Sequence, residues 1–471
     1  MNILPDNSRH FVALLQCIQP DLSKTELRRL SRIAQAMLSM SGRVTMLGLS
    51  RWAGKGGSYR TVQRFFNTVI SWPKVFHSFF LRHLYHPDGE YFLVGDESIV
   101  TKSGKETHGL DYFFSGLLNK VVKGISIFSL SLVSVEERRS YPLRVEQVIR
   151  DEAEKAAAKE RKQKRAKKDK SAPKKKRGRP KGSRNRDKTQ VDLTPELKRI
   201  QDMVRNQLTL LQALITIRYL VLDGHFGNNN ALQMTLQCDL QLISKLRYDA
   251  ALSFVYDGEQ KRTGPRKKYG QKINYCQIKD DYLVERSVKD GIETCVYQAQ
   301  MLHHEFAQIL NVVIITKTNL KTGAFANVNL FSSDLELSYE KIIDFYSLRF
   351  QIEFNFRDAK QYWGLEDFMN IKEIPLTNAI NLSLFMVNLS QVLLREFRKA
   401  HPDSSILDLK AYFRAAKYFE ETIKMLPQKP EPFLLEQIFD QVTTLGCIHA
   451  VNVHPSPPGI TSRKRGEGEK G

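Results

Sequence analysis

The spacing of apolar residues changes along this chain, and each change predicts a different kind of element. Over residues 1–88 the spacing is helical, as in Thr25-Glu-Leu-Arg-Arg-Leu-Ser-Arg-Ile-Ala-Gln-Ala-Met-Leu38. Two shorter helical stretches, 45–52 and 58–66, are separated by Gly54-Lys-Gly-Gly57. A helix, a glycine turn and a second helix with Arg60 and Arg64 exposed fit a helix-turn-helix. A plain helical bundle with solvated arginines fits the same pattern. Near residue 91 the pattern becomes extended. Tyr91-Phe-Leu-Val-Gly-Asp96 is a short apolar run ending in an acid. Residues 124–133 alternate apolar residues with serine, apart from a slip at Phe128, and 141–148 is extended again. Three strands in succession predict an antiparallel meander.

Beyond residue 190 helices and strands alternate. Thr194 as N-cap and Pro195 at the first helical position open a helix that should run to about Ala213. Tyr219-Leu-Val-Leu-Asp223 reads as a second buried strand ending in an acid. Residues 229–240 predict a helix and 242–248 a strand. Residues 250–312 are rich in Tyr, Lys and short β-type runs, and read as a β-rich insertion. Val312-Val-Ile-Ile-Thr-Lys317 then has the pattern of a core strand, one helix is predicted at about 338–362, and 375–445 is helical. The Pro- and Gly-rich tail from His454 is expected to be disordered.

Composition bounds the possibilities. The chain has 471 residues, 42% of them hydrophobic, enough for a sizeable core and several domains. No uninterrupted apolar run of about 18 residues predicts a membrane span, and the first residues do not read as a signal peptide. Five scattered cysteines without a C-x-x-C pair argue against a disulfide scaffold or structural zinc. The net charge of +21 is unevenly spread. Residues 151–190 hold 18 Lys/Arg against 6 Asp/Glu, leaving +9 for the rest. A basic chain without a membrane segment most simply partners nucleic acid.

Candidate chemistry concentrates in the helix at 338–362. Tyr346, Arg349, Glu353 and Lys360 lie at offsets of 3, 7 and 14 from the tyrosine, so on one helix they point within about 60° of each other. Phe345, Leu348, Ile352, Phe356 and Ala359 form the adjoining apolar stripe. An acid suits a divalent metal, and cations suit phosphates. Asp96 and Asp223 share a context at the ends of buried strands, where open α/β sheets place their sites. Alone, either acid reads best as facing solvent. Together with Glu353 they could supply the oxygen ligands that magnesium prefers.

Glu97 should face away from Asp96. Asp111 reads as a loop acid, His225 as a solvated or supporting residue, and His303-His304 as structural.

The chain resembles the DDE transposases of bacterial insertion sequences, in the group marked by Y-x2-R-x3-E-x6-K. Tyr346, Arg349, Glu353 and Lys360 fit that template without mismatch. Asp223-Gly-His-Phe226 resembles the run around the group's second acid. Ser244-Lys-Leu-Arg-Tyr-Asp249 and Gly264-Pro-Arg-Lys-Lys-Tyr-Gly270 resemble stretches downstream of it. The similarity spans roughly 90–400. It implies an α/β, ribonuclease-H-like mixed-sheet core with a β-rich insertion before the last acid. It also implies that Asp96, Asp223 and Glu353 bind two Mg2+ ions, with Mn2+ able to substitute. Tyr346, Arg349 and Lys360 would contact phosphates near the cleaved end. Double-stranded DNA, as transposon ends and target, is the implied partner, and a homodimer would pair the two ends. A cytoplasmic, nucleoid-associated bacterial protein is the implied setting.

The resemblance sets the expected organisation. A helical DNA-binding region at 1–88 precedes the first core segment at 89–149. A basic insert at 150–190 and a second core segment at 191–249 follow. A β-rich subdomain at 250–312 precedes the last core segment at 313–372, then a C-terminal helical region at 373–450 and a disordered tail at 451–471. Within the basic insert, Arg177-Gly178-Arg179-Pro180 resembles an AT-hook, whose arginines enter the narrow minor groove of A·T-rich DNA. A polybasic linker gripping phosphates without preference is the plainer reading.

In one respect the sequence departs from the group. Relatives that form a hairpin intermediate often capture a flipped base on a tryptophan in the insertion, whereas Trp52, Trp72 and Trp363 all lie outside it. Phe350, Tyr269 or Tyr275 could stack on a base instead. Two other functions fit the same residues: a structure-specific nuclease on this fold, and a transposase-derived DNA-binding regulator.

Overall fold

A computed structural model describes residues 7–116, 118–152, 154–156, 160, 187–212, 214–428 and 430–449. The basic motif at Arg177 and Arg179 and the tail at 451–471 lie outside these. The chain divides into two units. One comprises Asp6–Met37 and Ser41–Leu389, the other Met1–Pro5, Leu38–Met40 and Ser390–Gly471.

The first unit begins with helices α1 (Asn7–Leu15), α2 (Lys24–Ser39, its last turn in the second unit), α3 (Met46–Trp52), α4 (Tyr59–Phe66) and α5 (Trp72–His83). Thr45 and Ser58 cap α3 and α4, each accepting from a backbone N–H in the first turn. The link between them contains Gly54 and Gly56 at positive φ, a backbone region that glycine enters freely. Val62, Phe65 and Phe66 bury one side of α4, and Arg60 and Arg64 lie exposed on the other.

Among the described residues twelve strands form one sheet. Its first half consists of β1 (Tyr91–Thr101), β2 (Asp111–Ser115), β3 (Lys120–Ser134), β4 (Arg139–Val148), β5 (Tyr219–Val221) and β6 (Gln241–Leu246). β1, β3 and β4 form the antiparallel meander expected, and β5 and β6 run parallel to β1. The order β4-β3-β1-β5-β6 is the ribonuclease-H-like mixed core. The link between β4 and β5 contains α6 (Pro195–Leu211), and that between β5 and β6 contains α7 (Asn229–Leu236). β2 pairs with the start of β3, so Asp111 begins a strand and is not a loop acid. The serines of β3 are fully buried. Alternation with serine therefore did not mark a solvent-facing side, because the sheet is covered on both faces.

The sheet continues through β7 (Leu252–Val255), β8 (Tyr269–Lys272), β9 (Leu283–Lys289), β10 (Ile292–His303), β11 (Leu310–Asn319) and β12 (Phe325–Ser332). β12 pairs antiparallel with β6, and β11 with both β12 and β10. Residue 312, the expected end of the insertion, falls inside β11.

The single helix expected at 338–362 is two: α8 (Tyr339–Leu348) and α9 (Gln351–Tyr362). No glycine or proline breaks it. Three-residue hydrogen bonds tighten the junction, from Phe350 N to Ser347 O, Ile352 N to Arg349 O and Glu353 N to Phe350 O. Packing explains the change. α8 lies on β6, β11 and β12, with Phe345 against Phe92 and Tyr219, while α9 lies on β1 and β4. A straight helix could not bury its apolar stripe on both.

α10 (Glu373–Phe397) is long and apolar enough to cross a membrane, but 83% of its most apolar window is buried inside the protein. Its asparagines serve as ties. Asn378 accepts from Trp72 Nε1 at 2.8 Å and donates to the carbonyls of Phe66 and Thr68, and Asn388 donates to Pro142 O. Buried amides paired with distant backbone mark a core helix. In the second unit α11 (Ile406–Met425) packs with α12 (Pro432–Thr444) through Ala416, Phe419, Leu435 and Phe439.

Candidate active site

Asp96 lies in the middle of β1 and not at its end, because β1 runs on to Thr101 against β3. The parallel pairing with β5 stops at Val94–Val221, two residues earlier. Continuing that register sets Asp96 beside Asp223, where the β5 chain leaves the sheet. Gly95 permits this course. A Cβ there would stand 2.6 Å from the Phe128 ring and 3.1 Å from Leu222, so any side chain would push β1 off its neighbours.

Asp223 caps the short 3-10 turn Gly224–Phe226. Its Oδ1 accepts from the His225 N–H at 3.1 Å, and its carbonyl accepts from Ser244 Oγ at 2.7 Å. Glu353 stands in the first turn of α9 with its side chain 42% exposed. Arg349, at the α8–α9 junction, links the acids. Its Nη1 is 3.4 Å from Asp96 Oδ2, and its Nη2 donates to Glu353 Oε1 at 3.0 Å. Its guanidinium carbon is 5.9 Å from the centroid of the Tyr346 ring.

These neighbours shape the charge state of Asp96. Burial pushes its pKa up to about 6, and Asp223 and Glu353 add to the rise. Arg349 and the Glu97 N–H, which donates to Asp96 Oδ1 at 2.8 Å, only partly oppose it. Burial also raises the Tyr346 phenol.

The other sequence candidates are dispersed. Lys360 does not join the acids. It donates to Ile99 O at 3.0 Å and pairs with Glu366 at 3.4 Å. Phe350 is 47% exposed and meets Phe354 edge-on, with ring centroids 5.2 Å apart. Tyr269 is exposed, whereas Tyr275 is half-buried with its hydroxyl on Ala250 O. His225 is largely exposed and pairs with Glu196. Glu97 accepts from Ser126 Oγ.

Two cation–ring contacts were missed in the sequence. Arg357 lies 4.5 Å over the Phe354 ring. The i, i+4, i+7 spacing of Phe350, Phe354 and Arg357 could have revealed that ridge. Lys102 lies 3.6 Å over the Phe368 ring and donates to Phe368 O, and burial lowers its pKa to about 8. No local pattern announces a partner so far along the chain.

Residues 14–295 match the family described as DDE superfamily endonuclease. The chain belongs to that family. The matched span is more than half of the chain and includes Asp96 and Asp223, but stops before Glu353. No curated protein matches the chain. Membership places the protein among nucleases, a class that generally uses divalent metal. The donor set fits such an ion: three carboxylates, one driven toward its neutral form by burial and by the other two. The spacing is another matter. Among the described residues no three of His, Cys, Asp and Glu stand close enough to hold one ion, and Arg349 lies between two of the acids.

Proposed function

We propose that the protein is a DNA transposase of a bacterial insertion sequence, which cleaves the ends of its element and joins the freed 3′-hydroxyls to target DNA. The observation that carries this reading is Arg349 bridging Asp96 and Glu353 on a ribonuclease-H-like sheet whose parallel register brings Asp223 beside Asp96. Asp96, Asp223 and Glu353 would hold two Mg2+ ions, with Mn2+ able to substitute. When bound, such ions activate an attacking oxygen and stabilise the leaving one.

The chain's own side chains do the rest. Arg349 offers phosphate a bidentate fork. Lys360 adds a second positive charge along β1, and Tyr346 supplies a phenol beside the arginine. Phe350 presents an exposed ring to a base. Arg60 and Arg64 on α4 face outward for DNA, and Arg177 and Arg179 would enter a narrow minor groove. Two ends have to be cut and joined together, so a homodimer is the working form.

The test is a joining assay with a donor plasmid carrying the element's terminal inverted repeats. Asp96→Ala, Asp223→Ala and Glu353→Ala should each abolish cut and joined products while leaving end binding intact. Retained cleavage in one variant would remove that residue from the site. Cut ends without joined product from the unaltered chain would leave a nuclease and not a transposase.

A further inference from the structure

Arg349 occupies the ground between Asp96 and Glu353. One terminal nitrogen faces each acid, at 3.4 and 3.0 Å. The side chain is only 13% exposed, and its Nε is buried without a hydrogen-bond partner. The two terminal nitrogens thus face the two acids, with the Tyr346 ring beside them. Lys360 is the contrast, its ammonium anchored on Ile99 O and Glu366 away from the acids.

We infer that Arg349 and the divalent metal compete for the same carboxylates. Without DNA, Arg349 sits on Asp96 and Glu353 and opposes metal binding. A DNA phosphate draws the fork away and opens the acids. The inference rests on the reading of these acids as metal ligands given above. Its physics is direct. An arginine N–H takes up one of a carboxylate's lone-pair directions and part of its negative charge, and a unit positive charge this close repels a dication. A phosphate offers the fork the same bidentate geometry that a carboxylate does. Leaving the acids therefore exchanges one set of charge-assisted hydrogen bonds for another. DNA and metal then each favour the binding of the other, which is reciprocal coupling between two ligands. A nuclease centre wired this way loads its metal on DNA and stays disarmed off it.

The test uses the full chain without DNA and Mn2+ as probe, followed by titration calorimetry and by the paramagnetic resonance of the free ion. Arg349→Gln removes the charge but keeps much of the side chain's bulk. Arg349→Ala removes both, so the glutamine variant covers a failure of the alanine variant to fold. Both should bind Mn2+ about tenfold tighter than the unaltered chain, the equivalent of one freed charge-assisted interaction. Arg138→Gln, which removes an exposed arginine paired with Asp344, should bring no comparable gain.

Asp223→Asn reports on the underlying reading and should weaken Mn2+ binding. Unchanged binding in Asp223→Asn would sink the assignment of the acids as ligands. Lost binding there, with neither Arg349 variant tighter than the unaltered chain, would leave the acids in place and overturn the competition alone.

Discussion

Asp408 and Asp96 are aspartates withdrawn from water in different units of the molecule, and their surroundings drive them in opposite directions. Asp408, near the start of α11, is fully buried. It accepts from the Ser405 N–H at 2.8 Å, from Ser405 Oγ at 2.7 Å, from the N–H groups of Ile448 and His449, and pairs with His449 Nδ1 at 2.9 Å. Burial alone would raise its pKa, but the hydrogen bonds from His449 and Ser405 outweigh burial and hold it below the usual carboxylate range. Asp96 receives one backbone N–H and one arginine, with two acids nearby, and burial wins. A carboxylate ringed by fixed donors is a structural joint. One left short of positive charge among other acids is built to receive something.

The sharpest way to break the comparison is to remove Asp408. Asp408→Ala leaves three backbone N–H groups, the Ser405 hydroxyl and the His449 ring without their acceptor. It should cost about 3–5 kcal/mol in chemical denaturation, the range for breaking a buried charged network. Because the folded carboxyl lies below its ordinary range, this stabilisation is present above about pH 4 and fades as pH falls further. A loss of under about 1 kcal/mol would mean that the donors do not hold this segment.

Asp96→Asn should act with the opposite sign. With chelator present, the folded Asp96 carboxyl titrates near 6 and the unfolded one near 3.8. Its contribution to stability is intact below the lower value and is lost as pH rises through the higher one. Asparagine escapes that loss. The variant should match the unaltered chain near pH 3.5 and exceed it by about 1–2 kcal/mol at pH 7. A variant less stable than its parent at pH 7 would make Asp96 a joint like Asp408.

The two aspartates were also unequally legible. Asp96 and Asp223 stood out because each ends a short apolar run, the mark of a strand buried on both faces. The sequence showed neither that β1 continues past Asp96 nor that the parallel register sets the acids side by side. Pairing partners over a hundred residues apart leave no local period. Asp408 was not singled out. Its local half, the capping box with Ser405, is a short-range pattern, but Ile448 and His449 arrive from forty residues away. The α8–α9 break was hidden for the same reason: no residue in 338–362 favours it, and only packing on separate strands requires it. The short β-type runs of 250–312 were visible as strands, while their continuity with the core sheet depends on β12 meeting β6.

Phe350 gives the smallest effect on the fold and the cleanest separation between joint and receiver. Its ring is 47% exposed at the α8–α9 junction, touching Phe354 edge-on. About half of it is buried, so Phe350→Ala should change stability by no more than about 1 kcal/mol. If the ring stacks on a base, the same variant should weaken binding of a labelled end duplex by about 1–3 kcal/mol in fluorescence anisotropy. A stability loss with unchanged affinity would assign Phe350 to packing and move the receiving surface elsewhere. Unchanged stability with weakened binding would put Phe350 with Asp96, among residues whose environment is finished only when DNA arrives.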